Sequence, residues 1–128
     1  MRETIDALLA LDTWAVVGLS DNPARAAWEV SKFLQERGKR IVPIHPSAPV
    51  VHGVQGYAAL ADIPFPVDVV DFFVRSDLVG PIVDEALAIG AKGIWMQLGV
   101  VDPEAADRAA AAGVAVVMDR CPKIEAGG

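Results

Sequence analysis

A chain of 128 residues with 53% hydrophobic content and a single cysteine is expected to form one domain spanning residues 1–128, with interior enough to fold without disulfide staples. Its net charge of −6, with 11 Lys and Arg scattered along it, excludes the basic stripe of a nucleic-acid binder and argues against an anionic membrane partner. No apolar run approaches the roughly 18 residues of a membrane span, and the charged start Met1-Arg2-Glu3 does not read as a signal peptide, so a reducing cytoplasm is the expected compartment.

Ile5, Leu8, Leu9 and Leu11 fall on one side of a short amphipathic helix over residues 3–11. The run Trp14-Ala15-Val16-Val17 is short and apolar, as in a parallel strand covered on both faces, and Gly18 allows a sharp turn at its end. Asn22 suits an N-cap and Pro23 a first helical position, which predicts a helix over 24–37 closed by Gly38. The loop from Leu19 to Asn22 then meets the positive end of a helix, where backbone N–H groups favour an anion such as phosphate. Ser20 can add a hydroxyl and Arg25 a guanidinium fork. The same pattern also fits a plain strand-to-helix turn.

Residues 40–44 form the second predicted strand, ended by His45-Pro46. Val54-Gln55-Gly56-Tyr57 reads as a short edge strand and Leu60 to Pro64 as a helical turn. Residues 67–74 form a central strand in which Asp71 is a buried carboxylate with no partner that the sequence can name. A helix capped at Ser76 or Asp77, interrupted at Gly80-Pro81 and stopped at Gly90 comes next. Residues 93–97 are a strand, Asp102-Pro103 opens a helix closed by Gly113, and 114–118 are the last strand. The tail Ala126-Gly127-Gly128 is expected to fray.

Strands alternating with helices define an α/β, Rossmann-like doubly wound sheet, mainly parallel, with helices on both faces. Ligands of such sheets bind beyond the C-terminal strand ends. That edge collects Gly18 to Asn22, His45-Pro46, Phe73 to Arg75, Gln97 to Gly99 and Asp119 to Cys121. It lacks a nucleophile, base and orienter set. The dinucleotide pattern G-x-G-x-x-G is absent, and His45 stands where an NAD site places an acidic ribose clamp. The only two histidines, His45 and His52, flank a proline loop without nearby Cys or acidic ligands, so no metal site is expected.

The segments Trp14 to Ser20 with Asp21-Asn22-Pro23 and Arg25, Leu60-Ala61-Asp62-Ile63-Pro64, Val67 to Phe73 with Arg75, Gly90-Ala91-Lys92, Trp95 to Gly99, and Met118 to Cys121 with Lys123-Ile124-Glu125 carry a resemblance. In order and spacing the chain resembles the small stand-alone CoA-binding proteins, a family similar to the CoA-binding domain of succinyl-CoA synthetase α chains. The resemblance implies strand order 3-2-1-4-5-6 and coenzyme A, or an acyl-CoA, bound at the C-terminal edge without catalysis by this chain. It implies cofactor contacts from Gly18, Leu19, Ser20, Asn22, Arg25, His45, Pro46, Phe73, Arg75, Gln97 and Gly99. His45-Pro46 stands where the family commonly has Asn-Pro, and Ala26, Ala27 and Trp28 follow Arg25. Two other readings remain at this stage: a nucleotide-dependent enzyme such as a small NAD(P) oxidoreductase, and a CoA-linked thiol-redox protein using Cys121. The protein partner and the oligomeric state, a homo-oligomer included, are open.

Overall fold

The computed structural model describes residues 1–127. Five strands form one parallel sheet: β1 (Thr13–Val17), β2 (Arg40–Ile44), β5 (Val69–Phe72), β6 (Gly93–Met96) and β7 (Ala115–Val117), in the order β2-β1-β5-β6-β7. Strands β3 (Val50–Val51) and β4 (Val54–Gln55) pair with each other as a separate hairpin. The helices are α1 (Arg2–Leu9), α2 (Ala26–Glu36), α3 (Val79–Ala88), α4 (Pro103–Ala111) and α5 (Pro122–Glu125), with short 3-10 turns at Leu60–Asp62 and Ser76–Leu78. None is long and apolar enough to cross a membrane among the described residues.

The alternation of side chains along β1 explains why every residue in it is buried. Ala15 and Val17 join Val70, Phe72, Ile94 and Met96 beneath α3 and α4. Trp14 and Val16 face the other way, into Ile5 and Leu8 of α1 and Val30 and Leu34 of α2. On that second side the Trp14 and Trp95 rings lie 5.6 Å apart, tilted by 48°. Each indole N–H finds a backbone carbonyl, Leu11 at 3.0 Å and Arg120 at 2.9 Å, so two large rings are buried without an orphan donor. The sheet is thus covered on both faces, as expected.

The predicted outer strand survives as one rung. Tyr57 donates to the Pro43 carbonyl at 2.9 Å and accepts from His45 at 3.1 Å, a single parallel bridge to Ile44. The rung before it would need an outward N–H from residue 43, and Pro43 has none. The strand order therefore matches the expected one, with its outermost position reduced to Tyr57.

Three boundaries differ from the sequence reading. Helix α2 begins at Ala26, because Asn22 Oδ1 accepts from the Ala24 amide at 3.0 Å and closes a turn instead of capping the helix. Helix α3 runs through Gly80-Pro81 unbroken, since Pro81 falls in its first turn, where no N–H is required. The expected frayed tail is held as far as Gly127, whose amide donates to Ile124 at 3.0 Å; Gly128 lies outside the described residues.

Asp68, just before β5, ties the sheet's entrance together. Its Oδ2 accepts from the Thr13 amide at 3.0 Å, and Oδ1 lies 3.4 Å from Lys92 Nζ. The Thr13 hydrogen bond, outweighing partial burial, holds the Asp68 carboxyl below its ordinary range. Asp68→Ala is expected to cost about 2 kcal/mol in urea unfolding, the scale of a hydrogen bond to a charged acceptor. Lys92→Ala should cost less than about 0.5 kcal/mol, because that ammonium is exposed. Equal losses for the two would show that the ion pair, not the amide bond, holds the corner.

Candidate functional site

Strand β1 ends where its neighbours on both sides hold it. The Gly18 amide donates to Ile44 at 2.8 Å on one side, and Val17 accepts from the Phe73 amide at 2.9 Å on the other. Gly18 turns with φ +91°, so closely against β5 that a Cβ there would lie 2.3 Å from the Phe73 carbonyl oxygen. Beyond this turn the chain leaves the sheet, and a cleft of about 820 Å³ opens over the C-terminal strand ends. That volume is within the usual range for a small-molecule or cofactor site.

Gly18, Ser20, Arg25, His45, Pro46, Phe73, Arg75 and Gln97 all line the cleft. Leu19 does not: its side chain is fully buried against α2. Asn22 is exposed and spent on its turn. Gly99 stands off the cleft, its amide donating to Asp119 Oδ1 at 2.7 Å. Sequence reasoning placed Val74 on this edge but missed the rest of the far wall, Ala58, Ala59, Leu60, Ile82 and Val100. Apolar residues of that kind carry no chemical signature; only the loop after Tyr57, once seen to return to β2, could have placed Ala58 and Ala59 there.

The cleft is electropositive at one end within an acidic chain. Helix α2 points its N-terminus into it, with Arg25 as N-cap and no side chain capping the first amides. Those amides carry the positive end of an 11-residue helix dipole. Arg25 has no ion-pair partner among the described residues, and Arg75 is tied only to exposed Asp77 at 3.2 Å. His45 Nδ1 lies 2.8 Å from Ser47 Oγ and accepts from the Ser47 amide at 3.2 Å, which leaves Nε2 as the ring nitrogen able to donate. Glu85 is the acidic side chain among the lining residues.

Gln97 closes the floor. It is buried at 7% exposure, and its Oε1 has no hydrogen-bond partner among the described residues. A second, smaller cleft of about 460 Å³ shares Ala26, Gln97 and Leu98 with the first and has Cys121 in its wall. The thiol itself is buried, at 7% exposure.

Trp28 and His52 lie elsewhere. Trp28 packs on the β3–β4 hairpin, its ring 4.7 Å from that of His52. His52 Nε2 sits 3.0 Å from both the Trp28 carbonyl and Ser31 Oγ, and burial lowers its pKa. This histidine clamps the hairpin to α2 and takes no part in the cleft.

In doubly wound parallel sheets, a cleft at a strand-to-helix turn beyond the C-terminal strand ends is the usual place for a ligand. The chain belongs to the CoA binding domain family, whose model matches residues 12–127. It is 38% identical over 110 residues to the uncharacterised protein YneT of Bacillus subtilis, covering 86% of this chain and 82% of that protein. It is similar to a solved hypothetical protein from Pyrococcus horikoshii, with TM-score 0.94 and 35% identity over 99% of this chain and 90% of that one. Over 81 residues, 62% of this chain, it is 32% identical to the α subunit of ADP-forming acetate–CoA ligase II of Pyrococcus furiosus, of which it spans 18%.

Proposed function

We propose that the cleft binds coenzyme A or an acyl-CoA, and that this chain acts as a binding module without catalysis of its own. The observation that carries the reading is the uncapped N-terminus of α2, opening between Arg25 and Arg75 into a cleft of cofactor size. Coenzyme A is a polyanion at its nucleotide end and a chain of neutral amides at the other. The helix amides, Ser20, Arg25 and Arg75 suit the phosphates. The apolar wall suits the base, and the amide of Gln97 suits the pantetheine arm. The donor set also explains why no acidic ribose clamp follows β2: His45 Nε2 offers a donor there, where a carboxylate would repel a phosphate.

Thermal unfolding with CoA, acetyl-CoA, NAD and ATP tests the reading. A ligand at about 100 times its Kd stabilises by about 2.7 kcal/mol, so Tm should rise by roughly ten degrees with CoA or acetyl-CoA at this chain length. Arg25→Ala should leave the unliganded Tm unchanged and weaken CoA by roughly tenfold or more, the worth of a charge-assisted hydrogen bond. An equal or larger rise with NAD would reject the assignment in favour of a dinucleotide enzyme.

A further inference from the structure

Two buried acceptors stand unsatisfied on the same face of the sheet. Asp71 is fully buried and neither carboxyl oxygen has a hydrogen-bond partner among the described residues; Gln97 Oε1 is in the same condition. Asp71 pairs in register with Val16 on one side and Trp95 on the other. Gln97 lies one residue beyond β6, where its amide continues the ladder to the Phe72 carbonyl at 3.3 Å, so its side chain falls on the same face as Trp95, diagonal to Asp71 across adjacent strands. At that diagonal, the long side chain of Gln97 has the reach to meet the Asp71 carboxyl.

Burying an ionised carboxylate without partners is too costly to sustain, and burying a lone amide oxygen also costs. Among the described residues no cation relieves either group. The buried polar and charged residues are Thr13, Ser31, Asp71 and Gln97. Helices α1 and α2 contribute Ile5, Leu8, Ala27, Val30 and Leu34 to this side, and Ser31 is occupied with the Trp28 carbonyl and His52. The ionisable side chain sharing the buried cluster is Cys121; Glu29 of α2 and Lys123 of α5 satisfy each other at 2.8 Å at the rim of the smaller cleft. Asp119, in the next row, is bonded to the Gly99 amide. One proton removes the charge and pairs Gln97 Oε1 with one Asp71 oxygen, leaving the other as a neutral carbonyl acceptor.

We propose that Asp71 is held as the neutral acid and donates its proton to Gln97 Oε1, which turns the Gln97 amide NH2 toward the cleft. Asp71 is then a positioning residue, and the atom it sets is a donor. The ligand group met at the cleft floor must be an acceptor, which under the reading above is an amide carbonyl of the pantetheine arm. Burial pushes the Asp71 carboxyl well above its ordinary range, against a smaller lowering by the nearby Phe72 amide, which falls short of hydrogen-bond geometry, and this agrees with the proposal.

The test starts without ligand. Infrared difference spectra between the wild type and Asp71→Asn at neutral pH should show a protonated-acid C=O band that the variant lacks. Gln97 side-chain amide resonances should stay in place in Asp71→Asn, whose amide NH2 can replace the acid proton, and move in Asp71→Leu. If Asp71→Leu does not fold, Gln97→Leu should shift the acid band by removing its acceptor. An ionised carboxylate in the wild type, or a Gln97 amide indifferent to Asp71→Leu, overturns the proposal.

CoA titration then reads the consequence. Asp71→Asn should bind like wild type. Asp71→Leu and Gln97→Leu should each lose roughly five- to tenfold, and the double variant no more than Gln97→Leu alone. Full affinity in Asp71→Leu refutes the positioning role. Failure of the wild type to bind CoA rejects the assigned ligand instead, and the ligand-free spectra still decide the proton.

Discussion

Gly18→Ala should cost about 4 kcal/mol of stability, against about 1 kcal/mol for Gly90→Ala. Both glycines have positive φ, +91° and +75°. The backbone strain of placing a side chain there is common to them and is worth roughly 1–2 kcal/mol. What separates them is space. A Cβ at Gly90 meets nothing within 4 Å, whereas one at Gly18 lies 2.3 Å from the Phe73 carbonyl oxygen and 3.1 Å from its carbon.

That obstacle is backbone, which no rotamer change can move. Gly18 is also tied to β2 through its amide, and the preceding Val17 to Phe73, so β1 cannot slide away from the clash without breaking ladder hydrogen bonds. The overpacking cost therefore adds to the strain. Urea unfolding of the two variants measures the difference directly, and a Gly18→Ala midpoint matching that of Gly90→Ala would show that β1 and β5 do not approach so closely. Because Phe73 lines the cleft, whatever folded Gly18→Ala remains should also bind CoA poorly.

The doubly wound sheet was legible because its strands are short apolar runs punctuated by glycine, and that pattern is dictated by burial on two faces. The ligand edge was legible for the same reason: once the strands are placed, the residues following each one must gather at a single end. Local signals failed where two of them compete for one segment. Asn22-Pro23 carries the signature of a helix start, yet the Asn22 side chain is satisfied by a turn closing on Ala24, and the helix waits until Ala26. That delay matters to the site, since it places Arg25 at the mouth of the cleft. Pro43 was the missed clue to the outer strand: it looks harmless inside an apolar run, but its absent N–H faces the open edge and limits Tyr57 to one rung.

Asp71 shows the reverse case. The sequence marks it as an anomaly, a carboxylate in a run of residues that must be buried, and the structure keeps the anomaly. Its consequence is a pH dependence of stability opposite to that of most acidic residues. An Asp whose folded-state pKa lies above its unfolded value of 3.8 binds a proton more tightly in the native state. The stability it contributes is fully present below about pH 4 and is lost as pH rises toward and through the raised folded value.

Within that window the loss is about 1.4 kcal/mol per pH unit. Three other groups slope the opposite way, among them Glu29, lowered by its hydrogen bond with Lys123. Asp68, lowered by the Thr13 amide, contributes stability above its unfolded value that disappears as pH falls through the folded one. His52, lowered by burial, does the same from about pH 6.5 downward. The wild-type profile is therefore a sum of opposed slopes, and its shape alone assigns nothing. The difference between wild type and Asp71→Asn cancels the shared contributions and leaves that of the buried acid. Urea unfolding of both from pH 4 to pH 9 should show Asp71→Asn gaining on the wild type as pH rises, with the gain ending only where the native carboxyl itself ionises. Parallel profiles would mean that Asp71 is ionised throughout, and that the interior holds a cation or a water able to sustain the charge.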